Sequence, residues 1–158
     1  MILEKLKEKF LDDVYETQEF SGELVAVVNK EIIRDVMKFL KTDPALDFNL
    51  LMDLTAVDYL RQERTPRFDV VYHLYSLAKN HRIRIKAGVD DQKPAIDSLT
   101  AIWPIADWFE REVWDMFGIK FKGHPNLKRI LMYEEFEGHP LRKDYRYNKR
   151  QPLIGPKN

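Results

Sequence analysis

The histidines are the first residues of this chain that could carry metal or acid–base chemistry. His124 and His139 each stand directly before a proline, and they lie far apart in the sequence. They lack the close spacing of two metal ligands carried on one helix. A carboxylate from Asp115 or Asp144 could still complete a site in space, so a stand-alone metal-dependent enzyme remains an alternative. The simpler interpretation is that both imidazoles hold extended backbone through hydrogen bonds or contact a partner.

Two further histidines are interpreted as structural. His73 lies inside the apolar run 68–77, where a satisfied core or surface histidine is the more common case than a metal ligand. His81 lies in the turn that follows this run, where we expect the imidazole to be solvated.

Acidic residues surround Arg111 on a predicted helix. Glu110 and Glu112 flank it, but residues two positions apart point to different sides of a helix, so they make a poor acid–base pair. Arg111 and Asp115 have the i,i+4 spacing that allows pairing along the helix. Two interpretations stay open: an exposed salt bridge that contributes about 0.3–0.5 kcal/mol, or charges that dock on another protein.

The sequence lacks the common signatures of a self-contained catalyst. It contains no cysteine, which excludes disulfides, Cys-ligated iron–sulfur clusters and a thiol nucleophile. It contains neither a Gly-x-Gly-x-x-Gly nor a Walker-type loop, and no serine stands in a nucleophile elbow. We therefore predict no catalytic residue, no bound cofactor and no metal site in this chain.

The charge balance argues against nucleic acid as a general partner. Lys and Arg total 26, Asp and Glu total 26, and the formal net charge is zero. The segment 142–150 does interleave basic residues with tyrosines, so a small RNA-binding arm is an alternative. An acidic protein groove is the favoured partner for this segment. No apolar run approaches the roughly 20 residues needed to span a bilayer, so membrane contact is expected only through another chain.

Hydrophobic periodicity predicts an α+β fold. The sheet is expected to be mixed or antiparallel and packed by helices in a two-layer domain over 1–122. An extended irregular tail is expected over 123–158, because each of its prolines biases the preceding residue toward extended backbone. Such a tail has little core of its own, so it must pack on this domain, pack on a partner or be partly disordered. The predicted elements are a helix over 2–14, a β-rich run at 23–29, a helix at 30–41, an ambiguous stretch at 48–59, strands at 68–77 and 82–87, a helix-like stretch at 94–103, and a helix at 106–117 with Gly118 as its left-handed C-cap.

An ordered series of motifs runs from Glu110 to Tyr145. It comprises Glu110-Arg-Glu112, Trp114-Asp-Met-Phe-Gly118, His124-Pro125, Leu127-Lys-Arg-Ile-Leu131 and Glu137-Gly-His-Pro-Leu-Arg-Lys-Asp-Tyr145. This series resembles the signature of the C subunit of the NADH–quinone oxidoreductases (respiratory complex I), the 30 kDa subunit family. The candidate signature and partner-interface residues are Glu110, Arg111, Glu112, Trp114, Asp115, Phe117, Gly118, His124, Pro125, Arg129, Leu131, Gly138, His139, Pro140, Leu141, Arg142, Lys143, Asp144 and Tyr145.

The resemblance implies a peripheral-arm subunit on the cytoplasmic side of a bacterial membrane. Members of this family pack against the D subunit of complex I, which helps form the quinone site, and lie near iron–sulfur subunits. The resemblance implies that FMN, iron–sulfur clusters, NADH and quinone belong to the complex as a whole, and that the isolated chain has no activity. Relatives also occur in membrane-bound hydrogenases and in complexes fed by other electron donors, so an equivalent subunit of such a complex is the alternative.

The resemblance also suggests how the chain holds its neighbours. Arg111, Arg129, Arg142 and Lys143 are expected to contact carboxylates, either within the domain or on the quinone-site D subunit. The expected apolar anchors of the interface are Trp114, Phe117 and Leu141.

Overall fold

The computed structural model describes residues 1–152 and 154. Short 3₁₀ turns at Leu11–Asp13, Lys30–Ile32 and Leu60–Gln62 link some of the elements. The helices and strands of the described residues are α1 (Ile2–Phe10), β1 (Val14–Phe20), β2 (Glu23–Val28), α2 (Ile33–Thr42), β3 (Leu50–Asp58), β4 (Phe68–Ser76), β5 (His81–Val89), β6 (Ala95–Asp97), α3 (Ala106–Phe117) and β7 (Lys120–Lys122).

The main sheet has the strand order β1-β2-β5-β4-β3. β2 and β5 are parallel, whereas the other neighbouring pairs are antiparallel. β6 and β7 form a separate parallel pair. The prediction of a two-layer α+β domain with a mixed sheet is therefore confirmed.

The core lies between one face of the main sheet and the helices. β5 alternates buried Ile83, Ile85 and Ala87 with more exposed charged residues, as expected for a strand with one packed face. α2 buries Ile33, Val36, Met37 and Leu40, which recur at helical spacing. Burying each such side chain contributes about 1.5–3 kcal/mol, so this single layer of contacts holds the helices to the sheet.

Two predicted helices differ from the structure. The first ends at Phe10, and Val14 already begins β1. Leu11 has a positive φ of 46°, a backbone conformation that ends a right-handed helix. The stretch 94–103 contains β6 followed by turns instead of a helix, because Ile96 pairs with Phe121 of β7 in a register that local periodicity does not reveal.

The prediction for His81 is also wrong. This residue begins β5 instead of lying in the solvated turn. Its Nε2 lies 2.7 Å from the backbone oxygen of Leu46, and its ring packs against Phe48 with a centroid separation of 4.6 Å. His81 thus ties β5 to the loop after α2.

The last predicted helix is confirmed at α3, which carries the first part of the signature. Gly118 follows it with a φ of 76° and caps it in the left-handed conformation. α3 packs along β3, one of the two edge strands, and Gly118 turns the chain from α3 into β7. No helix within the described residues has the length and apolarity needed to cross a membrane.

Candidate functional site

The candidate site consists of α3 and the segment 123–152, called the tail here, whose described residues form turns without helix or strand. Asp115 of α3 is fully buried beneath it. Its Oδ2 accepts hydrogen bonds from the backbone N–H groups of Ile130, Leu131 and Met132 at 3.1, 2.8 and 2.9 Å. Because three donors converge on one oxygen, Asp115 sets the path of the tail across the helix.

Arg129 completes the environment of the same carboxylate. Its Nη1 donates to Asp115 Oδ1 at 2.7 Å, and its Nη2 donates to the backbone oxygens of Phe136 and Gly138 at 2.7 and 3.0 Å. Burial favours a higher pKa for Asp115, but the hydrogen bonds from Met132, Arg129 and their neighbours outweigh it and lower the pKa. Asp115 is therefore charged and fully partnered.

The suggested pairing of Arg111 with Asp115 along the helix is wrong. Asp115 points into the protein, whereas Arg111 is only partly buried. Arg111 donates to the backbone oxygens of Lys128 and Arg129 at 3.2 and 3.1 Å, and its guanidinium lies 5.4 Å from the ring centroid of Trp108. Both residues hold the tail from the same side of α3: Arg111 binds it at 128–129, and Asp115 binds it at 130–132.

His139 locks the tail against the end of α3. Its Nδ1 lies 3.0 Å from the backbone oxygen of Asp115, and its ring lies 5.2 Å from that of Trp114. A Cβ on Gly118 would stand 2.6 Å from the His139 ring, so glycine is needed for space as well as for its positive φ. Burial lowers the pKa of His139, which favours a neutral imidazole at pH 7.

His124 makes a separate set of contacts. Its Nε2 lies 3.1 Å from the backbone oxygen of Asp107, and its Nδ1 accepts a hydrogen bond from Asn126 N at 3.0 Å. The prediction that His124 and His139 hold backbone through hydrogen bonds is confirmed. Across the described residues, no group of three or more His, Asp or Glu side chains could hold a metal ion, so the suggested metal site does not assemble.

A second charged cluster joins the tail to the sheet, and sequence reasoning did not anticipate its central residue. Arg67, just before β4, is almost fully buried and binds Asp58 through two hydrogen bonds of 2.9 and 2.7 Å. It also reaches Asp91 at 3.0 Å and Asp144 of the tail at 3.1 Å. Arg142 binds Asp91 at 2.6 Å. Two guanidinium groups and three carboxylates thus connect the segment 58–67, Asp91 after β5 and the tail.

The electrostatics of this cluster favour the ionised carboxylates. Burial favours a higher pKa for Asp58, but hydrogen bonds from Arg67 and from the backbone of Lys143 and Leu60 lower it to about 2. The hydrogen bond from Arg67 likewise lowers the pKa of Asp144. In the sequence, charged residues at the ends of apolar strands, as at Asp58 and Arg67, are the one feature that could have indicated this cluster.

Glu110 anchors a different loop to α3. It is fully buried, and its carboxylate accepts hydrogen bonds from Ser98 Oγ at 2.7 Å and from Leu99 N at 2.6 Å. Burial raises the pKa of Glu110 to about 7. The turn after β6 is therefore positioned by the first acidic residue of the signature, while Glu112 is exposed.

Some of the contacts predicted for the basic residues form within this chain. Arg129 and Arg142 bind carboxylates, whereas Arg111 binds backbone oxygens. The backbone N–H of Lys143 donates to Asp58 at 2.8 Å, while Lys143 as a whole is exposed. Among the predicted apolar anchors, Phe117 is buried, Trp114 is partly buried and Leu141 is exposed.

The signature residues divide by burial into an inner and an outer set. The structure buries Glu110, Asp115, Phe117 and Gly118, and it partly buries Arg111, Trp114, His124, Arg129, His139, Pro140, Arg142 and Tyr145. Those left exposed are Glu112, Pro125, Leu131, Gly138, Leu141, Lys143 and Asp144. The sequence reasoning did not single out Trp108 of α3, which is 59% exposed beside Arg111.

Comparison with known proteins agrees with the signature. A family model described as respiratory-chain NADH dehydrogenase, 30 Kd subunit, matches residues 26–151. The chain is 53% identical to the NADH-quinone oxidoreductase C subunit of Citrifermentans bemidjiense, over 96% of this chain and 88% of that one. It is 52% identical to the C subunit of Roseiflexus sp. (strain RS-1), over 90% of this chain and 81% of that one.

Solved structures share the fold. The chain matches a trypsin-resistant fragment (1-134) of Nqo5 with a TM-score of 0.70 and 35% identity, over 80% of this chain and 100% of that one. It also matches a chain of the membrane-bound sulfane sulfur reductase, an archaeal respiratory membrane complex, with a TM-score of 0.76 and 25% identity, over 93% and 85% of the two chains. The chain therefore belongs to the 30 kDa subunit family of the respiratory-chain NADH dehydrogenase, complex I.

Proposed function

We propose that this chain is a non-catalytic, cofactor-free scaffold of the peripheral arm of a proton-translocating NADH–quinone oxidoreductase. It docks against the quinone-site D subunit and neighbouring iron–sulfur subunits on the cytoplasmic side of the membrane. The observation that carries this proposal is the division of the signature. Its inner residues, such as Asp115, Arg129 and His139, make hydrogen bonds within the chain. In contrast, Leu131, Leu141 and Lys143 are exposed.

The polar groups of the inner residues are already engaged in hydrogen bonds within the chain. Asp115 is saturated by four donors, and His139 and His124 are engaged by backbone groups. A general acid or base needs a proton-transfer partner within hydrogen-bond reach of a substrate. These groups instead hold the tail rigid, which suits a surface whose purpose is to fix neighbouring subunits in position.

The outer residues have the chemistry of a protein interface. Leu131 and Leu141 are 57% and 51% exposed, and Trp108 is 59% exposed. Exposed apolar side chains grouped on a surface mark sites of protein interaction, and tryptophan is enriched among the residues that contribute most to binding. We call these three residues the docking surface. Neighbouring Lys143 adds a cation that suits an acidic rim on the partner.

The docking surface can be tested by placing charges on it in the complete complex. Leu131→Asp with Leu141→Asp should leave this chain folded, because both side chains are exposed, and should reduce its recovery in purified membrane complex by about tenfold or more. Leu11→Asp is the matched control, since Leu11 is 71% exposed in the turn after α1. The readout is the amount of the quinone-site subunit recovered with the tagged chain.

Full recovery of the quinone-site subunit with the double variant would refute the docking surface. Isolation of the tagged chain from native membranes with no other subunit of an NADH–quinone oxidoreductase would refute the scaffold role altogether. NADH–quinone activity of the isolated chain would refute its non-catalytic character.

A second candidate role is the equivalent subunit of a complex fed by another electron donor. The likeness to the archaeal membrane-bound sulfane sulfur reductase favours it as a fold-level alternative. The same purification distinguishes the two. An NADH-binding flavoprotein among the recovered subunits supports the first role, whereas a nickel-site hydrogenase subunit or another donor-specific subunit supports the second.

A further inference from the structure

A small cavity of about 170 Å³ lies between α3 and β3, and we call it the α3–β3 cavity. The residues of its floor are apolar and buried: Leu54, Val113, Met116 and Phe117. The residues of its rim are Asp53, Thr55, Glu112 and Leu141. Because sites for small molecules typically have volumes of about 300–1,000 Å³, this cavity suits one inserted side chain better than a cofactor.

Glu112 differs from the other carboxylates of α3, because no described residue binds it. Asp107, Glu110 and Asp115 each contact a polar group from another segment of the chain. Arg111, the cation next to Glu112 in the sequence, donates instead to backbone oxygens of the tail. Glu112 is exposed, so α3 leaves this one carboxylate available to a partner.

Asp53 places a second carboxylate on the β3 side of the α3–β3 cavity. It is exposed, and the one hydrogen bond that it accepts from the described residues comes from the backbone of the next residue. Arg84 lies two strands away and pairs with Glu23 at 3.4 Å. The imidazole between them, His73, has a pKa that burial lowers, so it is neutral at pH 7. The cavity therefore has an anionic group on each of its two walls.

The α3–β3 cavity adjoins the docking surface. Leu141 belongs to both, and Trp108 stands one helical turn before Glu112, so these two side chains share a face of α3. The exposed Lys143 follows Leu141 by two residues and adds a cation on the far side. The docking surface thus has an acidic and a basic position at different places, and such a charge pattern fixes the orientation of a partner.

We infer that an arginine side chain of a neighbouring subunit inserts into the α3–β3 cavity when this chain docks. Its guanidinium binds Glu112 and Asp53, and its aliphatic stem lies on the apolar floor. Arginine suits the cavity better than lysine, because its planar guanidinium carries five N–H donors and can bind two carboxylates at once. This inference rests on the proposed function and deepens it by naming the kind of residue that the docking surface recognises.

Two other kinds of occupant suit the α3–β3 cavity less well. An inserted apolar side chain would remove water from Glu112 and Asp53 without replacing its hydrogen bonds, and burying an unpaired charge is costly. A metal ion would need further ligands, and no group of three or more His, Asp or Glu among the described residues could hold one. A cationic side chain with an apolar stem satisfies both the rim and the floor.

Charge reversal in the complete complex provides the first test. Glu112→Lys should lower recovery of the quinone-site subunit with the tagged chain by about tenfold or more, because the inserted guanidinium would meet a like charge. Glu8→Lys is the matched control, since Glu8 is an exposed glutamate of α1, and it should retain the recovery of the parent. Urea unfolding of the isolated full-length variants verifies that both remain folded. Full recovery with Glu112→Lys would overturn the inference.

Modification of arginines with phenylglyoxal provides the second test and identifies the inserted residue. In the purified complex at low salt, one arginine of a neighbouring subunit should react at least about fivefold more slowly with the parent chain than with Glu112→Gln, because the carboxylate holds its guanidinium. Mass spectrometry locates that arginine. Its replacement by glutamate should raise recovery with Glu112→Lys by at least about fivefold, since the swapped charges attract. Absence of any arginine with this dependence would contradict the inference.

The outcomes separate this inference from the proposed function. Recovery lost with Leu131→Asp and Leu141→Asp but retained with Glu112→Lys overturns the inference and leaves the scaffold role standing. Zero-length coupling of Glu112 to a lysine of a neighbouring subunit also overturns it, as does self-association of the isolated chain that Glu112→Lys abolishes. Loss of recovery with Glu112→Lys and its rescue by the charge swap support the inference.

Discussion

Two buried carboxylates on α3, Asp115 and Glu110, have pKa values that are shifted in opposite directions. Asp115 accepts three backbone hydrogen bonds and one from Arg129, and these donors lower its pKa despite burial. Within the part of the chain that the structure describes, Glu110 accepts from Ser98 and Leu99 alone, and these two hydrogen bonds do not offset the loss of solvation. The number and charge of the donors, rather than burial alone, decide which residue is ionised at pH 7.

Glu110 should therefore give the chain a stability that falls as pH rises. Burial raises its pKa from 4.5 to about 7, so the folded state holds the proton more tightly than the unfolded chain. The free energy of unfolding should lose up to about 3 kcal/mol from this residue between pH 4.5 and a pH just above 7. Glu110→Gln should remove that contribution, as measured by urea unfolding at pH 5 and pH 8.

Glu112→Gln is the control for this experiment, because Glu112 is exposed on the same helix. It should retain the pH dependence of the parent protein. If Glu110→Gln and Glu112→Gln show the same slope of stability with pH, the buried proton on Glu110 is not the cause.

At the scale of elements, the end of α3 is where helix and tail depend on each other. Gly118 caps the helix in the left-handed region, and the ring of His139 occupies the space that a side chain on Gly118 would need. The neighbouring Leu141 N donates to the backbone oxygen of Met116 at 3.0 Å. The helix terminus thus provides both the turn and the surface on which the tail lies.

Gly118→Ala should destabilise the protein more than Gly123→Ala. Both glycines have positive φ, 76° and 81°, so each alanine carries a backbone cost of about 1 kcal/mol. Only at Gly118 would the new Cβ collide with another residue, His139 at 2.6 Å, whereas at Gly123 nothing lies within 4 Å. We expect an additional loss of about 1–3 kcal/mol for Gly118→Ala, measured by thermal or urea unfolding. Equal losses would show that the ring of His139 moves aside freely.

Across the whole molecule, the Arg67 cluster joins the sheet to the tail. Asp58 lies at the end of β3, and its carboxylate accepts from Arg67, Leu60 N and Lys143 N. The contacts of Arg67 with Asp144 and of Lys143 with Asp58 link residues distant in sequence. The tail is therefore held by ionic contacts in addition to apolar burial, and its attachment should depend on pH.

Asp58→Asn should destabilise the protein at pH 7 by about 2 kcal/mol, and the difference from the parent should shrink toward pH 2. The pKa of Asp58 is lowered from 3.8 to about 2, so its stabilising contribution is complete above its ordinary value and is lost as pH falls through the folded value. Urea unfolding at several pH values measures the effect. Asp53→Asn is the control, because Asp53 is exposed and, among the described residues, accepts a hydrogen bond from Leu54 N alone. A loss that stays constant down to pH 2 would contradict the ionic role of Asp58.

Periodicity in the sequence predicted the elements that pack a continuous apolar stripe. It predicted α3, α2 and the β4–β5 pair, because the spacing of their apolar residues indicates which side faces the core. β1 was missed because an edge strand with mostly polar side chains is held by backbone pairing to β2. The turn structure at 98–103 was missed because it depends on Glu110, a side chain from the next helix.

The amino-acid sequence alone was sufficient for the fold class, the family signature and the left-handed cap at Gly118, since each depends on residue types at short, fixed spacings. It could not pair Arg129 with Asp115 or Arg67 with Asp58 and Asp144. Nor could it show that the tail uses its own signature residues to bind α3. Charge partners depend on which distant segments meet in space, and no local pattern in the sequence contains that information.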